Sequence, residues 1–119
     1  MKKFSVKERI QSFGYAIEGL FAFFRTEHNA WIHLCATIGV AVMALLFPVS
    51  STEIVALVIV VGMVWVAEIF NTAIEKAMDV YSTKRDPKIK LVKDLAAGAV
   101  LVAAVTALTV GLIIFIPKI

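Results

Sequence analysis

Three long apolar segments limit what this chain of 119 residues can fold into. They cover residues 31–47, 54–74 and 95–116, so they are about 17, 21 and 22 residues long, and a membrane-spanning helix needs about 20. Asn29 and Ala30 extend the first segment to that length. The mean hydropathy of +0.90 exceeds the usual range of soluble globular proteins. We therefore expect an all-α membrane protein of one domain, with spans at about 29–47 and 94–116 and a second span that, with a cytoplasmic extension, covers about 54–79.

Basic residues predict how these spans are oriented. None lies in the connection 48–53, and the C-terminal tail contains only Lys118. Five precede the first span and six lie between the second and third: Lys2, Lys3, Lys7, Arg9, Arg25, Lys76, Lys84, Arg85, Lys88, Lys90 and Lys93. Loops rich in lysine and arginine stay in the cytoplasm, which places the N-terminus and the second connection there. No cleavable signal peptide is expected, because Lys2 and Lys3 lead into a charged amphipathic stretch.

That stretch, at about residues 5–24, predicts a helix of another kind. Its apolar residues recur at helical spacing: Phe13, Ile17, Leu20, Phe21 and Phe24. An apolar stripe with basic flanking residues is typical of a helix lying in the membrane interface. A helix that packs against the spanning helices fits the pattern equally well, and both can hold.

The second span does not stay apolar, and a stripe of polar residues follows it. Glu68, Asn71, Thr72, Glu75 and Asp79 fall within roughly 100° of one helix face. Glu68 lies 14 residues after Ile54, about 21 Å along the helix, so it is past the middle of the hydrocarbon core. Because ionisable groups are costly there, this polar stripe is a candidate functional site.

Other charged residues should lie at the same level of the membrane. Glu27 precedes the first span, Lys93 and Asp94 precede the third, and Arg9 lies on the amphipathic helix. Carboxylates near basic residues suit magnesium and phosphate, since Mg²⁺ typically takes one or two carboxylates together with phosphate oxygens and water. Lysine and arginine neutralise phosphate charge.

Simpler interpretations of these residues stay open. Glu75 and Asp79 fit the solvated face of a helix that outruns the membrane, and Glu68 fits a paired carboxylate that holds helices together. Lys93 and Asp94 fit the ordinary start of a membrane span, where a basic residue is common.

Some other chemistries are not expected. His28 and His33 are five residues apart, which is not one helix face, so a histidine metal site is not predicted. Trp65 is interpreted as a packing or interface aromatic. The chain has no P-loop, no GxGxxG motif and no HRD or DFG element.

Residues 68–79, EIFNTAIEKAMD, carry a resemblance to a known family. They are similar to the E-x-x-N-[ST]-x-[IVL]-E-x-x-x-D motif of the prokaryotic diacylglycerol kinases, which include undecaprenol kinases. Further similarity lies in the segments around Glu27 and after Lys93. The order of an amphipathic helix followed by three spans also fits, so the resemblance covers nearly the whole chain.

The resemblance implies a homotrimeric lipid kinase of the bacterial cytoplasmic membrane, which transfers the γ-phosphoryl of ATP to a lipid hydroxyl with Mg²⁺. No nucleic-acid partner is implied. By position, Glu68 resembles the general base, and Glu27 and Glu75 the magnesium ligands. Asn71, Thr72 and Asp79 resemble supporting or substrate residues. Nucleotide contacts are implied at these positions, the last three more weakly: Arg9, Tyr15, Glu27, Glu75, Lys93, Asp94, Lys84, Arg85 and Asp86.

Two other functions compete with the kinase. A proton-coupled transporter could use Glu68, but it should also carry polar groups in the other half of the membrane. Residues 54–61 are apolar, which argues against transport. A noncatalytic assembly subunit would leave the polar stripe without a role. As lipid acceptor, both diacylglycerol and undecaprenol stay open, and the motif details are closer to the undecaprenol kinases.

Overall fold

A computed structural model describes residues 3–119, and Lys2, used above to predict orientation, lies outside them. The described chain forms four α-helices and ends in a short 3-10 turn: α1 (Val6–Thr26), α2 (His28–Leu46), α3 (Ser51–Tyr81), α4 (Pro87–Phe115) and the turn Ile116–Lys118. No strand occurs within residues 3–119, and the predicted all-α fold is confirmed. Three helices are long and apolar enough to cross a membrane, as expected of a multi-pass membrane protein.

The chain divides into two parts, and the first ends at Ile32. Within it, α1 begins after Ser5, whose hydroxyl accepts the backbone N–H of Glu8 at 3.4 Å. The helix ends at Glu27, whose extended backbone (φ −119°, ψ 119°) separates α1 from α2. The indole Nε1 of Trp31 donates to the carbonyl of Phe24 at 2.9 Å, and the two rings meet edge to face. These contacts fix the corner at Glu27.

The apolar stripe of α1 is largely exposed in the isolated chain. Phe13, Ile17, Leu20 and Phe21 are all exposed, whereas Phe24 is half-buried beside Trp31. An exposed apolar helix face next to basic residues suits the membrane interface that the sequence predicted for this helix.

The second part, residues 33–119, is built on an antiparallel pair of helices, α3 and α4. Its apolar core contains Leu57, Ile114 and Phe115. Phe47, just past the end of α2, packs its ring edge to face on Phe115, with 6.0 Å between centroids. The rest of the apolar surface of these helices is largely exposed, as expected for side chains that face lipid.

The α3–α4 pair carries an ion pair at each of its ends. At the turn end, where α3 stops at Tyr81 and α4 starts at Pro87, Lys93 Nζ lies 2.7 Å from Asp79 Oδ1. At the terminal end, Lys118 Nζ lies 3.0 Å from Glu53 Oε2. These two pairs join the helices across both ends.

Helix α4 begins at Pro87, several residues before the third span that the sequence predicted at about 94–116. The reason is the pair Asp86-Pro87. Asp86 Oδ1 accepts the backbone N–H of Lys88 at 2.8 Å as an N-cap, and proline is well suited to the first helical position. The extra turns place Lys90, Lys93 and Asp94 on a rigid helix.

Candidate active site

The polar stripe of α3 faces the protein interior at one end and emerges at the other. Glu68, Asn71 and Thr72 are buried, Glu75 is half-buried and Asp79 is exposed. Glu68 is only 3% exposed. A solvated helix face therefore does not describe the first three residues. Burying a carboxylate is costly unless hydrogen bonds compensate it, so its partners decide what it can do.

Glu68 has a hydrogen-bonding partner on α2. Its Oε2 lies 3.3 Å from Nε2 of His33, a side chain that is 19% exposed. An ionised carboxylate only accepts hydrogen bonds, so Nε2 is the donor whenever Glu68 is charged. The sequence left open that Glu68 is a paired carboxylate that holds helices together. The hydrogen bond to His33 is such a pair, and it links α2 to α3. Pairing orients the carboxylate and does not remove its capacity to accept a proton.

A second link between α2 and α3 lies one turn away. Trp65 Nε1 donates to Thr37 Oγ1 at 2.9 Å, and Thr37 donates to the backbone carbonyl of His33 at 2.7 Å. The rings of His33 and Trp65 lie 6.1 Å apart between centroids. The sequence did not indicate this arrangement: His33 was considered as a metal ligand, and Trp65 as a packing or interface aromatic. Their partners lie 28 and 35 residues away, and helix periodicity does not report such contacts.

Asn71 and Glu75 form the next turn of the stripe. Asn71 Nδ2 donates to Glu75 Oε1 at 3.3 Å. The amide oxygen of Asn71 is buried and has no hydrogen-bonding partner among residues 3–119. This buried oxygen can accept a hydrogen bond from the substrate or from a coordinated water.

Five of the residues predicted to contact a nucleotide gather at the turn end. Lys93 pairs with Asp79, and Lys90 pairs with Asp94 one helical turn away on α4. An open cavity of about 850 Å³ is lined by Lys84, Arg85, Asp86, Lys93 and Asp94, together with Lys90 and uncharged neighbours. Basic side chains around one cavity can bind phosphate groups. The five predicted residues of this region therefore share one surface.

Three predicted residues belong to the first part of the chain. Arg9 and Tyr15 lie exposed on α1, and the Arg9 guanidinium carbon lies 5.8 Å from the ring centroid of Phe4. Glu27 is half-buried at the corner between α1 and α2, where its carbonyl accepts the N–H of Ala30. The non-helical backbone at Glu27 sets this carboxylate apart from the regular helix faces.

The donor chemistry fits magnesium. Within residues 3–119, no three His, Cys, Asp or Glu side chains are grouped to hold a metal ion. Mg²⁺ does not require such a group, since it usually keeps several waters and takes one or two carboxylates with phosphate oxygens. Glu75, half-buried beside the unsatisfied oxygen of Asn71, is a hard oxygen ligand of the kind that Mg²⁺ prefers.

An apolar groove of about 330 Å³ runs from His33, Thr37 and Trp65 along α2, α3 and α4 to Phe115 and Ile119. Its lining is otherwise almost entirely aliphatic. His33, the hydrogen-bonding partner of Glu68, is part of that lining. A hydrocarbon chain suits such a surface better than any polar ligand.

Fold and site together define a small α-helical membrane protein with a buried carboxylate, an apolar groove and a basic cavity. A family model described as prokaryotic diacylglycerol kinase matches residues 14–115. The chain belongs to the prokaryotic diacylglycerol kinase family, as its motif indicated, and it is a lipid kinase. The transporter and the assembly subunit are thereby set aside.

Named relatives agree with that family. An undecaprenol kinase of Bacillus subtilis is 38% identical over 108 residues, which cover 91% of this chain and 88% of the relative. A diacylglycerol kinase of Synechocystis is 34% identical over 107 residues, covering 89% of this chain and 61% of the relative. A diacylglycerol kinase of Pseudomonas aeruginosa is 30% identical over 105 residues, covering 88% and 85%.

Proposed function

We propose that this lipid kinase transfers the γ-phosphoryl group of ATP to a lipid hydroxyl, with Mg²⁺ as cofactor and Glu68 as general base. The observation that carries the proposal is the buried Glu68 carboxylate, whose partner His33 lines an apolar groove. A lipid chain in the groove would bring its hydroxyl toward Glu68. The carboxylate accepts the hydroxyl proton while the oxygen attacks the γ-phosphorus.

The remaining residues bind the nucleotide and neutralise its charge. Glu75 would hold magnesium, which when bound would neutralise phosphate charge, and Glu27, in the first part of the chain, is the second magnesium ligand that the family resemblance implies. Lys93 and Arg9 bind phosphate oxygens, with Lys84 and Arg85 of the basic cavity beside Lys93. Phosphoryl transfer needs mainly positioning and charge neutralisation, and this set of side chains supplies both.

The proposed acceptor is undecaprenol. The undecaprenol kinase of Bacillus subtilis shares 38% identity with this chain, against 34% and 30% for the two diacylglycerol kinases. The purified kinase should phosphorylate undecaprenol faster than diacylglycerol at equal mole fraction in mixed micelles, measured with radiolabelled ATP. A faster reaction with diacylglycerol would assign the other acceptor.

The proposed assembly is a homotrimer in the bacterial cytoplasmic membrane, with the N-terminus and the α3–α4 turn in the cytoplasm. Lysine and arginine gather on that side, and ATP is available there. The extensive exposed apolar surface of the spans can accommodate other subunits as well as lipid. Native mass spectrometry in detergent tests the trimer.

Glu68→Gln tests the proposed base. It keeps the side-chain volume and a hydrogen-bonding capacity toward His33 but cannot accept the hydroxyl proton. We expect turnover to fall about 100- to 10,000-fold, the usual contribution of general base catalysis. Glu53→Gln is the matched control on the same helix and should stay active. Near-normal turnover of Glu68→Gln, in detergent with both lipids, would remove Glu68 as the base.

A further inference from the structure

The carboxylate of Glu68 is hydrogen-bonded to His33 on another helix, and no role in the reaction has been assigned to His33. His33 Nε2 lies 3.3 Å from Glu68 Oε2, and both side chains are largely removed from solvent, at 19% and 4% exposure. A carboxyl group at the end of a glutamate turns readily, because its terminal torsion has a broad, roughly two-fold preference. A general base, in contrast, must aim one oxygen at the proton it accepts.

His33 is itself held from two directions. Its backbone carbonyl accepts Thr37 Oγ1, and the same hydroxyl accepts the indole N–H of Trp65. The ring of Trp65 also lies beside the imidazole, tilted by 59°. Trp65 lies three residues before Glu68 on α3. The Trp65–Thr37 hydrogen bond therefore joins α2 to α3 one helical turn from the histidine–glutamate hydrogen bond, and the Trp65 ring packs beside the imidazole.

We propose that His33 is a positioning residue that orients Glu68 for proton abstraction from the lipid hydroxyl. The inference rests on the proposed role of Glu68 as base. Nε2–H donates to Oε2 and fixes the plane of the carboxylate. During transfer the hydroxyl proton passes to Glu68, and the hydroxyl oxygen forms a bond to the γ-phosphorus. The bond from the γ-phosphorus to the oxygen of the β-phosphate breaks, and ADP leaves with that electron pair. The proton on Nε2 stays on His33 throughout.

Two amide variants that differ by one methylene test this role. His33→Gln can present an N–H close to the position of Nε2, whereas His33→Asn is too short to reach Glu68. We expect kcat of His33→Asn to fall up to about 100-fold, as for a reacting group misplaced by about 1 Å. His33→Gln should regain at least about tenfold of that loss. The KM for ATP should stay unchanged in both, and Cys35→Ala, an exposed site on α2, serves as the control.

A double-mutant cycle separates positioning from a merely structural contribution. Glu68→Asp withdraws the carboxylate by one methylene, beyond the reach of His33, so adding His33→Asn should reduce kcat little further. Fully additive losses would overturn the proposal, as would equal kcat values for His33→Asn, His33→Gln and the parent protein. If Glu68→Gln instead retains turnover, the proposed base fails and this inference fails with it. If Glu68→Gln is inactive but both His33 variants are fully active, the proposed role of His33 fails while Glu68 keeps its role as base.

Discussion

The two ends of the α3–α4 pair each join a carboxylate of α3 to a lysine, which lies on α4 at the turn end and in the 3-10 turn after α4 at the terminal end. Only the turn end has the features of a catalytic site. At the terminal end, Glu53 closes a capping box with Ser50 and also pairs with Lys118. Its hydrogen bonds are accounted for by the helix start and the chain end. At the turn end, polar groups extend inward from Asp79 to the buried Glu68, well beyond what joining two helices requires.

The surroundings of the two carboxylates explain the difference. Glu53 serves backbone groups that a helix start leaves unsatisfied, and a cap is worth about 1 kcal/mol. Glu68 satisfies no helix end, lies in the middle of α3 and is buried beside His33. A charge retained at such a place without a capping role is the mark of function. The comparison predicts that substitutions at the turn end lower activity, and that substitutions at the terminal end lower stability alone.

Glu75→Gln should have the largest effect among the charge-binding residues. The variant keeps an oxygen for Asn71 but loses the charge that would hold magnesium. We expect kcat/KM to fall about 100- to 1,000-fold, the range found when one electrostatic contact to the reacting group is removed. Higher magnesium concentration should restore part of the loss. A magnesium titration of kinase activity checks this, with Glu53→Gln as control. An unchanged magnesium dependence would return Glu75 to the solvated helix face that the sequence left open.

Lys93→Met should have a smaller effect, expressed in nucleotide binding. Lys93 lines the basic cavity and pairs with Asp79, so it can bind phosphate or simply join two helices. If Lys93 binds ATP, the KM for ATP should rise about tenfold or more. A change of that size corresponds to the free energy of a lost hydrogen bond to a charged group. Lys88→Met, on the same helix but outside the cavity lining, is the matched control. Equal KM values in the two variants would limit Lys93 to its pair with Asp79.

The fold was largely predictable from the sequence, because its main signals act along a single helix. Apolar length gave the three spans, and helical spacing put Glu68, Asn71 and Thr72 on one face. The start of α4 was harder to predict from the sequence. Asp86-Pro87 is typical of a turn and also of an N-cap, and only the hydrogen bond from the Lys88 N–H decides between them.

The sequence pointed to individual candidate residues of the site but not to the contacts between them. Charge at membrane depth and the motif over 68–79 pointed to Glu68 and Glu75. The partner of Glu68 was missed, since His33 lies on a different helix and its contact depends on how α2 packs against α3. The same holds for Trp65 and Thr37, whose hydrogen bond joins positions 28 residues apart.

Ser50→Ala should have the smallest effect and should confine it to stability. The hydroxyl of Ser50 accepts the N–H of Glu53 at 3.2 Å, so its loss leaves a helix N–H without that partner. We expect a loss of about 1 kcal/mol in unfolding free energy, typical of a removed N-cap. Kinase activity below the unfolding transition should not change. Thermal unfolding in detergent, followed by circular dichroism, measures the loss of stability. Turnover at a temperature below the transition checks that the activity is unchanged.

Glu53→Gln separates the two functions of this carboxylate, because glutamine still fits a capping box but no longer pairs as an ion with Lys118. A fall in turnover in Ser50→Ala at temperatures where the helix remains folded would show that the terminal end takes part in catalysis, and the contrast between the two ends would then fail.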